Sequence, residues 1–126
     1  RDPRVRSSIA YSNLLEPHHI DTLLDDPSYN VRNSAAKNRK ITPKQIKGIF
    51  KNDDLATKKG LMHNSAITDK DRLKFMNDED EDNRLEFIST GNLYSHQLKH
   101  MAKHDPSDEV KAAAEYELGE FNHIDQ

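Results

Sequence analysis

His96, His100 and His104 recur at every fourth position. On a helix that spacing lays imidazoles along one face, and a pair at i and i+4 can chelate zinc or nickel. His104 immediately precedes Asp105-Pro106, where a helix should be ending, and no carboxylate is spaced to complete a ligand set. The three histidines are therefore expected to be exposed helix positions with no metal bound, and His18-His19 has less to recommend it. The run Asp78-Glu79-Asp80-Glu81-Asp82 suggests a second cation chemistry, with Asp at the first, third and fifth positions of a calcium loop. Such a loop next needs glycine at its sixth position and glutamate at its twelfth. Asn83 and Ser89 stand there instead, so a solvated turn is expected.

Patterns for catalysis are missing. With no cysteine in the chain, a cysteine nucleophile, a thiolate zinc site, an iron–sulfur cluster and a disulfide framework are excluded together. There are four glycines, and none belongs to a phosphate-binding loop; neither a nucleophile elbow nor a metalloprotease helix occurs. Paired carboxylates are plentiful, but they fall in expected turns rather than in a cleft that would raise a pKa. Ser7, Ser8 and Ser34 read as helix-surface or small packing residues. No catalytic residue, no metal and no cofactor is expected, and the chain is not read as an enzyme.

Cations carry the remaining chemistry. Arg6, Arg32 and Arg84, with Lys58 and Lys111 in the same register, would form a row able to grip phosphates. They are expected instead to pair with the acidic turn just before each, such as Asp25–Asp26 or Asp80–Asp82, or to lay their stems over the next unit. Charge is segregated along the chain: residues 31–60 hold nine basic side chains against Asp53 and Asp54, a net +7, whereas residues 77–86 hold six acids against Arg84, a net −5. Lys44, Lys47, Lys70, Lys74 and Lys99 are the candidate binding residues, as the outer basic positions of one set of helices. A basic face suits an anionic partner, either an acidic protein surface or a nucleic acid backbone. A solvated face that binds nothing is the plainer alternative. An isoelectric point of about 6.2, the absence of Trp and the scarcity of aromatics stand against nucleic acid.

The elements that must position these residues follow from an internal repeat. At a spacing of 26 residues, Arg32 meets Lys58, Asn38 meets Asn64, Ile41 meets Ile67, Thr42 meets Thr68 and Lys44 meets Lys70. A further period sets Arg84, Leu93, Leu98 and Met101 opposite Arg32, Ile41, Ile46 and Ile49. The plan divides the chain into units at 2–24, 25–50, 51–76, 77–102 and 103–126. Each unit reads as two short helices. Asp2, Asp26 and Asp105 are expected to cap the first helix, with the following proline at its first position. That helix is expected to end near Asn38, Asn64 or Gly91, residue types that tolerate the left-handed conformation. Thr42-Pro43-Lys44-Gln45 fits a capping box that opens the second helix, and Thr68 with Asp71 is a variant of it.

Helices shorter than about 12–15 residues are marginal alone in water, so Val31, Ala35, Ala36, Ile41, Ile46, Ile49 and Phe50 must be buried against neighbouring units. A stack in which each helix pair contacts only its neighbours is an α-solenoid. The 126 residues, 33% apolar and 33% charged with a net charge of −3, suit one domain over 1–126. The narrow core of a one-dimensional stack accounts for a composition that otherwise approaches disorder. No apolar run approaches the roughly 20 residues of a membrane span, and the opening RDPRVRSS has no apolar signal core, so a soluble cytoplasmic protein without membrane association is expected. The missing initial Met and a start in mid-repeat fit processing or a fragment.

The pattern D-P-x-x-x-V-R-x-x-A-A-x-N-x-x-I-T-P-x-x-I, read from Asp26 to Ile46, resembles HEAT-like repeats, closest to the leucine-rich repeat variant of bacterial and phage proteins. The resemblance runs from Asp2 to about Leu118. It departs in the fourth unit, where Asn83 replaces the apolar residue before Arg84, and in the fifth, where a second helix is hard to see. The resemblance implies a right-handed superhelix of short helix pairs, used mostly as a binding scaffold. Some members carry an N-terminal cysteine-rich domain, which a chain without cysteine lacks. Some HEAT-like DNA glycosylases grip duplex backbone along a basic concave surface. The expectation is an all-α solenoid of four to five helix pairs that binds a protein partner without catalysis, the alternative being nucleic acid backbone; no oligomeric state follows.

Overall fold

The structure, a computed structural model, describes residues 2–124. Among these it is all-helical, with nine α-helices, no strand and one isolated bridge between Tyr94 and Ile124. The helices are α1 Pro3–Ala10, α2 Pro17–Leu24, α3 Tyr29–Ala36, α4 Pro43–Asn52, α5 Leu55–Met62, α6 Asp69–Met76, α7 Glu81–Ser89, α8 Ser95–His104 and α9 Asp108–Gly119. None is long and apolar enough to cross a membrane. The chain forms two compact units, Arg1–Ala66 with α1 to α5 and Ile67–Gln126 with α6 to α9.

Local chemistry sets the helix starts. Thr42 and Gln45 satisfy each other's backbone N–H groups, Gln45 N to Thr42 Oγ1 at 3.2 Å and Thr42 N to Gln45 Oε1 at 2.9 Å. Thr68 and Asp71 do the same at 3.2 and 3.0 Å. At α2 an imidazole takes this role, the Glu16 N–H donating to His19 Nδ1 at 3.1 Å. Asp2 caps α1 by accepting from the Arg4 N–H, with Pro3 at the first position. Asp26 and Asp105 are not caps: α3 and α9 begin behind Ser28 and Ser107. Each aspartate instead accepts the N–H of the serine two residues on, at 2.9 Å. These carboxylates are also claimed by arginines; Ser107 caps α9 by accepting from the Val110 N–H, whereas Ser28 holds the N-cap position of α3 without a side-chain bond.

The helices end near Asn38, Asn64 and Gly91 as expected, and Gly91 takes the left-handed conformation while the two asparagines do not. Among the described residues, positive φ occurs at Asp53, Gly91 and Phe121, not at Asn38 or Asn64. Both asparagines are buried and serve as connectors. Asn38 Nδ2 donates to the carbonyls of Ala10 and Ser12 at 2.8 and 2.9 Å, and Asn64 Nδ2 to those of Ala36 and Asn38 at 2.9 and 3.0 Å. Each Oδ1 accepts the N–H two residues ahead, that of Lys40 or Ala66. A single amide thereby satisfies backbone carbonyls left over at the end of the preceding odd-numbered helix and shapes its own turn.

In the first unit α3 packs against α1, α2 and α5. The core is small and aliphatic: Ala10, Ile20, Val31, Ala35, Ala36, Ile41, Ile46, Ile49, Leu61 and Met62 are buried, while Phe50 is half-buried. Gly60 lets α5 approach α3 closely, since a Cβ there would lie 2.3 Å from the Asn33 carbonyl oxygen and 2.9 Å from Ala36 Cβ. In the second unit α9 packs on α7 and α8, and α6 on α7. Its core is larger in side chain, with Phe75 and Phe87 stacked at a tilt, ring centroids 5.0 Å apart, beside Ile67, Ile88, Leu93, Leu98, Met101 and Val110.

Candidate interaction groove

The row of arginines is occupied by the protein itself. Arg6 reaches forward to Asp26, with Nε and Nη2 donating at 2.7 and 3.1 Å. Arg32 donates through Nε to Asp54 at 2.9 Å, and through Nη1 to the carbonyls of Asp26 and Pro27. Arg84 repeats this, holding Asp105 at 3.0 and 3.2 Å and the carbonyls of Asp78 and Glu79. Arg32 and Arg84 thus tie the turn before their helix, through its carbonyls, to the turn after it, through a carboxylate. The expected pairing with the acids of the preceding turn is found at Lys58, whose Nζ lies 2.6 Å from Asp53. Guanidiniums in this arrangement clamp turns and have few donors left for phosphate.

Electrostatics follow from these contacts. The Arg6 guanidinium, joined by the Ser28 N–H, holds the Asp26 carboxyl below the ordinary carboxylate range. Burial pushes Asp54 up, but the hydrogen bond and charge of Arg32 outweigh it and leave this group lowered as well.

The candidate lysines are all exposed: Lys44 and Lys47 on α4 in the first unit, Lys70 and Lys74 on α6 and Lys99 on α8 in the second. Lys44 borders a groove of about 660 Å³ in the first unit. One wall is α2 with Pro17, Asp21 and Leu24; the other is α4 with Thr42, Gln45, Gly48, Ile49 and Asn52. The turns at Asp25 to Pro27 and at Asp54 close its edge beside Arg32. Four aspartates thus face two cations in the lining of this groove. Arg6 and Arg32 occupy Asp26 and Asp54. Asp21 Oδ1 accepts from the buried Gln45 Nε2 at 2.8 Å, and the Asp25 carboxylate has no partner among the described residues. The signal for Asp21 lay in the register, because one period separates it from Lys47.

Other candidates fare differently. Two adjoining cavities of about 460 and 370 Å³ between α1 and α3 share Ser7, Ser34 and Lys37 and have no acid in their lining. Their hydroxyls are spent internally, Ser7 and Ser34 on each other at 2.6 Å, Ser7 on the Asn30 carbonyl and Ser8 on that of Arg4. His96, His100 and His104 are exposed on α8. The His100 and His104 rings lie 4.8 Å apart, and His96 stacks on Tyr94 at 5.8 Å. Among the described residues no group of three or more His, Asp or Glu is placed to hold a metal ion. The acidic run opens α7: Asp80 caps it, accepting from the Asp82 N–H, and Asp78 accepts from the Asp80 N–H, both at 2.9 Å. Glu81 and Asp82 then sit in the first turn, where the helix dipole favours them.

Comparison with family models, with curated proteins and with solved structures finds no match to the chain.

Proposed function

We propose that the chain is a non-enzymatic scaffold, a HEAT-like α-solenoid with a period of about 26 residues, whose surface holds a protein partner. The groove between α2 and α4 carries this reading. It is open, its volume is about 660 Å³, and it combines an apolar floor at Leu24 and Ile49 with a charged rim. That make-up suits a segment of polypeptide more than a small substrate, which is normally enclosed over most of its surface. The asparagine and arginine connectors between successive turns support the repeat reading. The exposed Lys44, Lys47, Lys70, Lys74 and Lys99 favour a second reading, attraction to a nucleic acid backbone.

Affinity capture from native lysate, with and without nuclease, separates the two. The protein reading expects a partner that survives nuclease and is lost when Lys44, Lys47 and Lys70 are all changed to Glu, with the helical circular dichroism unaltered. Capture that disappears on nuclease treatment, and weakens steeply with salt, would replace it with the second reading. Capture unchanged in the triple variant would remove the lysines from the binding surface.

A further inference from the structure

Resting on the repeat reading and adding a contact to it, we propose that copies of this chain associate head to tail, the outer face of α9 in one copy seating against the outer face of α1 in another.

Burial breaks off at matched positions. α3 packs on α1 and α2, and α9 packs on α7 and α8. Val31 of α3 and Val110 of α9 are fully buried, whereas Val5, which holds the same position in α1, is 47% exposed. Ile9, one turn on and on the same face, is half-buried where its counterparts Ala35 and Ala114 are fully buried. The position at which these helices cross holds a small residue. Gly60 of α5 fits against the Asn33 carbonyl, and Ser34 of α3 meets Ser7. In α1 that small residue is Ser8, which is exposed. The first helix thus carries the face by which α3 seats on α1 and α5 on α3.

The contact between α1 and α3 identifies what fits there. Arg4, Ser7 and Tyr11 of α1 line cavities shared with Asn30, Ser34 and Lys37 of α3. Asp26, Ser28 and Val31 recur as Asp105, Ser107 and Val110. In that register Glu109, Ala112 and Tyr116 of α9 take the places of Arg4, Ser7 and Tyr11, and Arg4, Ser8 and Tyr11 of α1 take those of Asn30, Ser34 and Lys37. Seated as α1 seats on α3, α9 of one copy sets Glu109 and its neighbour Asp108 against Arg4 of the next. It also sets Ala112 and Tyr116 against Ser8 and Tyr11. All seven of these side chains are exposed. Arg4 lends two nitrogens to Asp2 in an exposed pair of small worth and keeps Nη1. Asp108 and Glu109 have no ion pair among the described residues. Tyrosines at such a contact match the aromatic enrichment of protein interfaces. The two faces differ, so the contact is heterologous and leaves each bound pair with one face of each kind open.

Sedimentation velocity of the full chain, up to about 1 mM, tests this. The proposal expects the mean mass to rise with concentration past that of a dimer. Val5→Glu/Tyr11→Glu blocks the α1 face and Ala112→Glu/Tyr116→Glu the α9 face, and each variant alone should stay monomeric. An equimolar mixture of the two should give dimers and nothing larger, since each keeps the face that the other lacks. Arg4→Glu should weaken association about fivefold, and Asp108→Lys/Glu109→Lys in the same chain should restore it. Circular dichroism checks the folds, and the charge swap decides alone if a blocked variant unfolds. A wild type that stays monomeric, blocked variants that associate as the wild type does, or a charge swap without rescue would overturn the proposal. A mixture that stays monomeric marks a symmetric contact and overturns it as well. None of these residues lies among the candidate lysines or in the groove, so lysate capture judges the scaffold reading separately.

Discussion

One period apart in the repeat register, Ile46 of the first unit and Arg72 of the second are both buried, at 6% and 4% exposure. Ile46 adds to an aliphatic core. Arg72 carries a charge inside, where Nε and Nη2 donate to the backbone and side-chain oxygens of Asn92 at 3.0 and 3.2 Å. Nη1 donates to Asp69 at 3.0 Å, and the guanidinium lies 5.2 Å from the centre of the Tyr94 ring. The turn between α7 and α8 is thereby fastened to α6. The ion pairs differ in the same sense: Arg84–Asp105 has side chains 9% and 4% exposed, against 23% and 34% for Arg32–Asp54. Both positions are buried. Whether such a position is filled by hydrocarbon or by a paired charge is decided by the polar groups that happen to face it.

Truncation at the matched pair should have the largest effect. Ile46→Ala should cost about 2–5 kcal/mol from its cavity, and Arg72→Ala about 1–3 kcal/mol, because the buried Asn92 oxygens lose their donor. Conservative changes sharpen the contrast in urea midpoints. Ile46→Leu should lose less than about 1.5 kcal/mol, whereas Arg72→Leu should lose more, since the two Asn92 oxygens lose a charged donor. If Arg72→Leu matched the wild type, the arginine would be filling space and the contrast would collapse.

A middle-sized effect tests how far the first unit depends on close aliphatic contact. Gly60→Ala drives a methyl group into the α3 backbone and should cost about 1–3 kcal/mol in thermal or urea unfolding. Gly48→Ala, in an equally helical site with open space, should gain about 0.5–1 kcal/mol. Equal responses would mean that α3 and α5 yield easily.

The smallest effect concerns the half-exposed pairs of the first unit. Asp26 and Asp54 are lowered in the folded state, so their contribution is present above the unfolded carboxylate pKa of about 4 and is lost as pH falls through the folded values. Protection factors for hydrogen exchange at α3, corrected for the intrinsic pH dependence of exchange, should therefore fall below about pH 4. Arg32→Gln with Lys58→Gln should lower the melting temperature by a few degrees, about 1 kcal/mol, and blunt the acid response. An unchanged melt would take the clamp role away from these cations.

Much of the fold was legible because its signals are local. The capping boxes at Thr42–Gln45 and Thr68–Asp71 span four residues, and the burial of Val31, Ala35 and Ile41 follows from their recurrence. The connectors were not legible in this way. Asparagine both tolerates the left-handed conformation and donates two hydrogen bonds, and a one-dimensional reading favoured the first use of Asn38 and Asn64. The arginine partners stand 20 to 22 residues away, beyond any local pattern. Summed over residues 31–60 the charge is basic; the groove beside α4 also holds acids because Asp21 and Asp25 come from the preceding helix.

The asparagine connectors also act as a ruler. Asn64 donates to the carbonyl of Asn38, and Asn38 to that of Ser12, each 26 residues earlier, so each amide is measured against the backbone one such step before. Inserting or deleting one residue between them turns the downstream helix by about 100° and carries the amide off its carbonyl. Removing or duplicating an entire unit leaves the spacing intact. On the repeat proposed above, changes of length that keep this hydrogen bond come in whole steps of 26 residues.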